Sequence, residues 1–192
     1  MGLKAVCSAQ SGGETRTQFR VDGMINHRPR PTKFVADAML GSLARKMRAL
    51  GFGTLYYSEG DDNEIIRKAR SGGRVILTSD RSLSNRQLFG KVHVLFLSGK
   101  TDDRRLASLL AAAKLSGISL VRGRPHCSLC NGDLRKVKRV DVAGRVPPQV
   151  ENRHRLFLKC LVCGHFYWRG SHWKKLRRFE RILAGIPIVD VS

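Results

Sequence analysis

A chain of 192 residues has room for one medium domain and a small one, and a hydrophobic fraction of 42% supports a packed core. Lys plus Arg number 36 against 15 Asp plus Glu, a formal charge of +21, which selects a polyanionic partner, most often nucleic acid. The absence of any run of about 18 apolar residues excludes a membrane-spanning helix.

Residues 1–32 are rich in Gly, Ser, Arg and Pro and lack apolar periodicity, so a disordered basic tail is expected there. Order is expected from Lys33. Phe34-Val-Ala36 reads as a short buried strand ended by Asp37. Leu40, Leu43, Ala44, Met47 and Leu50 follow at helical spacing, with Arg45, Lys46 and Arg48 largely off that stripe, and Gly51 closes the helix. Thr54–Tyr57 reads as a second strand. Asp61-Asp62-Asn63-Glu64 supplies a cap and an acidic first turn for a helix carrying Ile65, Ile66 and Ala69, stopped by Gly72-Gly73. Arg74–Thr78 is a third strand, with Asp80 two residues on, and Val92–Leu97 a fourth. Thr101-Asp102-Asp103 caps a helix with Leu106, Leu109, Leu110 and Ala113 on its stripe.

Strands alternating with helices predict an α/β domain with a mainly parallel central sheet flanked by helices over 33–122. Gly123-Arg-Pro125 marks a hinge into a second unit, 123–192, expected as a small zinc ribbon with a C-terminal basic helix. That unit holds Cys127-Ser-Leu-Cys130 and Cys160-Leu-Val-Cys163. Two residues between the cysteines let both sulfurs face one ion, and the following Asn131-Gly132 and Gly164 allow the turn that aims N–H groups at them. Four soft ligands suit tetrahedral Zn²⁺ in a structural role. Residues 131–159 between the knuckles must hold a hairpin and an excursion. Cys7 is left over, and this cysteine usage implies a reducing, cytoplasmic setting rather than a disulfide framework. Phe166–Trp168 reads as an aromatic strand. Ser171–Leu183 reads as a helix with Trp173, Leu176, Phe179 and Leu183 on one stripe and Lys174, Lys175, Arg177, Arg178 and Arg181 around it.

Ligands of an open α/β sheet bind at the carboxyl ends of its strands. In a chain poor in acids, Asp37 follows the first expected strand, Asp61-Asp62 the second and Asp80 the third. Three carboxylates meeting there repel unless they share a divalent cation, and hard oxygen ligands suit Mg²⁺ or Mn²⁺. The competing reading makes each Asp a helix cap. His126, His165 and His172 lie near the knuckles; with four cysteines present they are expected beside the zinc or facing RNA. Tyr167, Trp168 and Trp173 either stack on bases or pack the small ribbon core.

The stretch Phe-Val-Ala-Asp-Ala-Met-Leu-Gly-Ser-Leu-Ala-Arg, then Leu-Gly-Phe, Asp-Asp-Asn-Glu-Ile-Ile and Arg-Val-Ile-Leu-Thr-Ser-Asp-Arg, resembles the Mut-7 C-terminal RNase domain family, a branch of the PIN-like nucleases. Arg145-Val-Pro-Pro148 and the run from Tyr167 to Trp173 resemble the same family's zinc ribbon. The likeness covers roughly residues 33–183. It implies a PIN-like fold, a divalent-metal ribonuclease site and a ribbon that helps bind RNA. By that resemblance Asp37, Asp62 and Asp80 are the three catalytic acids holding Mg²⁺ or Mn²⁺. Asp61 or Glu64 are substitutes for the second, and Asp102 or Asp103 a candidate fourth. Ser79 departs from the family's Thr-Arg-Asp pattern, and Arg81 is placed to supply the missing charge. Arg45, Arg81, Arg169, His172, Trp173, Lys174, Lys175, Arg177 and Arg178 are the expected nucleic-acid contacts. RNA is the expected partner and DNA the less favoured one; the pattern specifies no oligomeric state. The alternative is a non-catalytic RNA-binding or ribosome-associated zinc-ribbon protein.

Overall fold

The continuous apolar runs become a parallel sheet covered on both faces, as such runs require. The computed structural model describes residues 30–58, 61–86 and 92–189, without the side chains of 171–175. Most of the expected tail, with Cys7, lies outside the described residues. Strands β1 (Lys33–Ala36), β2 (Gly53–Tyr56), β3 (Val75–Thr78) and β4 (Val94–Phe96) run parallel in the order β2-β1-β3-β4. The chain steps from β1 to one side for β2, then crosses to the other side of β1 for β3. The strand order therefore reverses between β1 and β3, and their carboxyl ends flank the switch-point crevice.

Alternation along the strands decides what each face meets. Phe34, Ala36, Val75, Leu77 and Leu95 face α1 (Gly41–Ala49) and α4 (Asp102–Leu115), which contribute Leu43, Met47, Leu106 and Leu109. Val35 and Ile76 face the other way, toward Ile65, Ile66 and Ala69 of α2 (Asp62–Gly72) and Leu83 of the short α3 (Arg81–Ser84). The single turn α3 was not expected from periodicity, because four residues are too few to show one. Among the described residues, no helix is long and apolar enough to cross a membrane.

The cysteine region folds as an antiparallel sheet in the order β5-β6-β7, from β5 (Leu134–Val137), β6 (Phe157–Cys160) and β7 (Phe166–Trp168). Between β5 and β6 the chain makes the expected excursion, a 3-10 turn at Arg139–Val142 and then α5 (Pro148–Arg153). Arg139 ties the two by hydrogen bonding Asn152 at 2.7 Å and lying 3.7 Å from Glu151. The fully buried core here is small: Val142, Val146 and Phe157, with Trp168 packed against them.

The last helix, α6 (Ser171–Ile182), differs from its expected place with the ribbon. Phe179 and Leu183 enter the large α/β core, and Leu176 and Ile182 pack against it. The physical reason is apolar area: a ribbon core of three buried side chains has no surface to match this helix's stripe. Arg122 fastens the return of the chain, donating to Glu180 at 2.7 Å and pairing backbone with Pro187 and Val189.

Candidate functional site

Asp37 is the first residue past β1. Its Oδ1 accepts the Met39 N–H at 3.0 Å, capping the 3-10 turn Ala38–Leu40. Its Oδ2 accepts the Ser79 N–H at 3.0 Å and the Thr78 hydroxyl, and the side chain is buried, 6% exposed. Thr78 in turn accepts the Asp80 N–H at 2.8 Å. One hydroxyl thus joins the carboxylate after β1 to the backbone of the acid after β3. Asp80 is exposed and caps α3, accepting the Ser82 N–H at 2.7 Å and the Ser82 hydroxyl at 3.0 Å. Ser79 donates its hydroxyl to Leu97 at 2.8 Å, so the same turn is tied to the end of β4. Thr78 and Ser79 were missed as site residues. Their signal was the Thr-Ser-Asp run at a strand end, in which Ser79 read only as a departure.

Asp62 opens α2 at the far side of this edge, half-buried and 3.5 Å from Arg86. Asp61 is the cap of α2, accepting from the Asn63 backbone and side chain at 3.2 and 2.6 Å; those bonds hold its carboxyl below the usual range. Glu64 lies 3.6 Å from Arg67. Asp102 opens α4 and accepts from Ser42 at 2.6 Å and from the Lys46 ammonium, with Arg105 at 3.8 Å. Burial opposes its charge, but Lys46, Ser42 and Arg105 outweigh that and hold its pKa down. Asp103 pairs with Arg178 at 2.7 Å. Both candidate fourth acids therefore hold cations of the fold. The carboxylates share one edge without closing into a tight shell: among the described residues, the group whose donor atoms all lie within 4.8 Å is the four cysteines.

Two contacts set the shape of the crevice. The Tyr56 hydroxyl at the end of β2 donates to Ala38 at 3.1 Å, laying its ring over Gly41. A Cβ at Gly41 would come within 2.8 Å of that ring, so a larger residue there would push the Tyr56 ring aside. Arg105 donates to Met39 at 3.3 Å and to Gly99 at 3.1 Å, stitching α4 to the turn after Asp37.

The expected nucleic-acid contacts are spread over the surface. Arg45 is exposed on α1, and Arg81 is exposed beside Asp80 with its guanidinium 5.5 Å from the Phe96 ring centre. Arg169, Arg177 and Arg178 are also exposed. The side chains of His172, Trp173, Lys174 and Lys175 lie outside the described residues.

In the ribbon, Cys127 and Cys163 sulfurs are 3.5 Å apart, as are those of Cys130 and Cys160. A tetrahedron of Zn–S bonds of about 2.3 Å spaces its sulfurs about 3.8 Å apart, so the four fit a metal ion such as zinc. The knuckle turns aim N–H groups at sulfur: Cys130 toward Cys127 at 3.5 Å, Val162 and Cys163 toward Cys160 at 3.4 Å. Asn131 takes the left-handed conformation, φ 65°, that its turn requires. The Tyr167 hydroxyl lies 3.0 Å from the Cys127 sulfur and 3.2 Å from the Ser128 hydroxyl. Burial opposes ionisation of Cys127, yet the Tyr167 hydroxyl and the Cys130 and Leu129 N–H groups draw it down to about 6. Burial and the neighbouring sulfurs push Cys130 up to about 12. Tyr167 is thus a hydrogen-bond partner of a ligand sulfur, and Trp168 packs the ribbon core. His165 stands edge-on to Tyr167, ring centres 4.9 Å apart, and His126 is half-buried with Nδ1 3.5 Å from Asp133. Burial lowers the His126 pKa.

Arg48 joins the two units. It is 5% exposed and donates to Thr54 at 2.7 Å, Ser128 at 2.9 Å and Leu129 at 2.8 Å. Asn131 returns the contact by accepting the Thr54 N–H at 2.8 Å. Gly51, φ 92°, and Gly123 approach closely enough for the Gly123 N–H to reach the Gly51 carbonyl at 2.8 Å. The spacing of Arg48 reads as solvent-facing, so no local signal revealed this role.

A four-stranded parallel sheet, fastened through a buried arginine to a cluster of four cysteines that could hold a metal ion, defines a basic α/β protein. Residues 32–180 match the profile of the Mut7-C RNAse domain, and the chain belongs to that family. Membership suggests a ribonuclease-type function, with RNA as the partner. Neither the curated proteins nor the solved structures yield a match.

Proposed function

We propose that this protein is a divalent-metal-dependent, PIN-like ribonuclease that hydrolyses RNA phosphodiester bonds, with a structural zinc ribbon that helps hold the RNA. The observation that carries the reading is the buried Asp37 at the switch point, linked through Thr78 to Asp80, in a chain of an RNase family. The donor set fits Mg²⁺ or Mn²⁺: carboxylate oxygens in a polar edge, one carboxylate held rigidly and one open to solvent. Asp37 and Asp80 would hold the ion, and Asp62 would complete the set from α2. A divalent cation bound there supplies an acidified water and offsets charge on the phosphoryl oxygens. Thr78 and Ser79 keep the Asp37 carboxylate in one orientation. Arg81, braced over Phe96 one residue past Asp80, is placed to offset negative charge developing on phosphorus.

Asp80→Asn is the cleaner test. Its partners are one N–H and a hydroxyl that can turn to accept, so an amide keeps the cap. RNA cleavage with Mn²⁺ or Mg²⁺ is expected to fall at least about a hundredfold, roughly 2.7 kcal/mol of barrier, while RNA binding persists. Equal cleavage by wild type and variant would overturn the mechanism. The second reading, a non-catalytic RNA-binding module, draws on the structural duties of the acids: Asp37, Asp61 and Asp80 are caps, and Asp62 pairs with Arg86. Wild-type protein that binds RNA and cleaves none with either metal would select it.

A further inference from the structure

The ribbon sheet carries an unbalanced pair of charges. Arg135 on β5 stands directly opposite Lys159 on β6, and Lys159 stands opposite Phe166 on β7. Two residues along the same face, Val137, Phe157 and Trp168 form the matching row and turn into the ribbon core. Arg135, Lys159 and Phe166 therefore lie together on the open end of that face. Arg135 is exposed and Lys159 is half-buried. Side chains directly opposite in an antiparallel pair sit about 5 Å apart, where like charges destabilise the sheet.

Among the described acids of the ribbon, Asp133 lies 3.5 Å from His126, Glu151 lies 3.7 Å from Arg139, and Asp141 accepts the Lys138 N–H at 2.9 Å; none of these three forms an ion pair with Arg135 or Lys159. The Lys159 ammonium is held 5.8 Å from the Phe166 ring centre, within cation–π range, so its stem is braced over an aromatic surface. A guanidinium and a braced ammonium facing the same space form a site for one anion with several oxygen acceptors.

We propose that Arg135 and Lys159 grip a backbone phosphate of the RNA, with Phe166 positioning the lysine. This rests on the reading of RNA as the partner. It places part of the binding surface on the ribbon sheet itself, apart from the residues of α6. The like-charged pair is then a feature that lowers free-state stability and is relieved when the phosphate binds.

The test is fluorescence anisotropy of the zinc-loaded full chain with a labelled oligouridylate, without added Mg²⁺ or Mn²⁺. R135E is compared with K68E, the same charge change on the exposed face of α2. R135E is expected to weaken binding about tenfold more than K68E. Its thermal midpoint should stay level or rise, because a carboxylate then faces Lys159. The double variant R135Q/K159Q should flatten the log–log salt slope by about 1.4, two contacts at about 0.7 each for a single strand. R135E binding like K68E, or a lowered R135E midpoint, would overturn the site. If wild type binds the probe and R135E tracks K68E, only this site fails. If wild type does not bind it, the RNA reading fails with it.

Discussion

The α/β layer and the ribbon hold their functional groups by opposite means. Asp37 rests on a sheet whose two faces bury Phe34, Val35, Ala36, Ile76 and Leu77, so its position is set by apolar packing before any ligand binds. The four cysteines rest on three buried side chains and a knuckle docked through Arg48. Small units without a sufficient core need a staple, and here four cysteines that could hold a metal ion stand beside a contact to the larger unit. On the proposed reading, metal at the acid edge would serve chemistry, and metal at the sulfurs would serve folding.

The largest expected effect breaks the ribbon side of that comparison. Structural zinc contributes on the order of 10 kcal/mol in small modules. Chelation, or Cys160→Ser, should abolish metal binding and collapse hydrogen-exchange protection over residues 124–170, while residues 33–120 stay protected. Retained protection across the ribbon after complete zinc removal would show that its apolar core suffices.

Arg48→Met sharpens the same comparison at the joint. The substitution preserves length but leaves the Thr54, Ser128 and Leu129 carbonyls without their donor, a loss of about 2–4 kcal/mol. Denaturant titration should show that loss, and zinc release to a chelator should quicken. If release is unchanged, the knuckle does not depend on the α/β layer.

A third effect separates the two acids of the edge. Asp37→Asn must turn an amide NH₂ toward the Ser79 N–H or the Met39 N–H, costing about 1–3 kcal/mol. Asp80→Asn should stay within about 0.5 kcal/mol, because only a cap is exchanged for an equal one. Thermal melts of the two variants side by side check this; equal midpoints would mean that the Asp37 site relaxes.

The smallest effect is a pH dependence. The folded pKa of Asp102 lies below the 3.8 of a free carboxyl, so its contribution is fully present above that value and is lost as pH falls through the folded pKa. Asp102→Asn should therefore flatten the acid limb of the stability profile below about pH 4, by roughly 1 kcal/mol or less. An unaltered limb would assign acid sensitivity to other carboxylates.

Much of this molecule was legible in one dimension. Short runs rich in apolar and aromatic residues marked the four parallel strands, helical stripes marked α1, α2, α4 and α6, and each CxxC declared its knuckle, because these signals are local to the chain. Asp37 and Asp80 were visible as acids just past strands. What the tertiary structure alone decided is which distant groups meet. The order β2-β1-β3-β4 set Asp37 beside Thr78, 41 residues away in the chain. Arg48 looked solvent-facing until a knuckle 80 residues on supplied its carbonyls. The stripe of α6 showed that the helix needed an apolar partner but not which one, and the larger core took it because the ribbon had too little surface to cover it. Local physics writes each element into its own residues; partner choice depends on buried area and on polar groups that become neighbours only after folding.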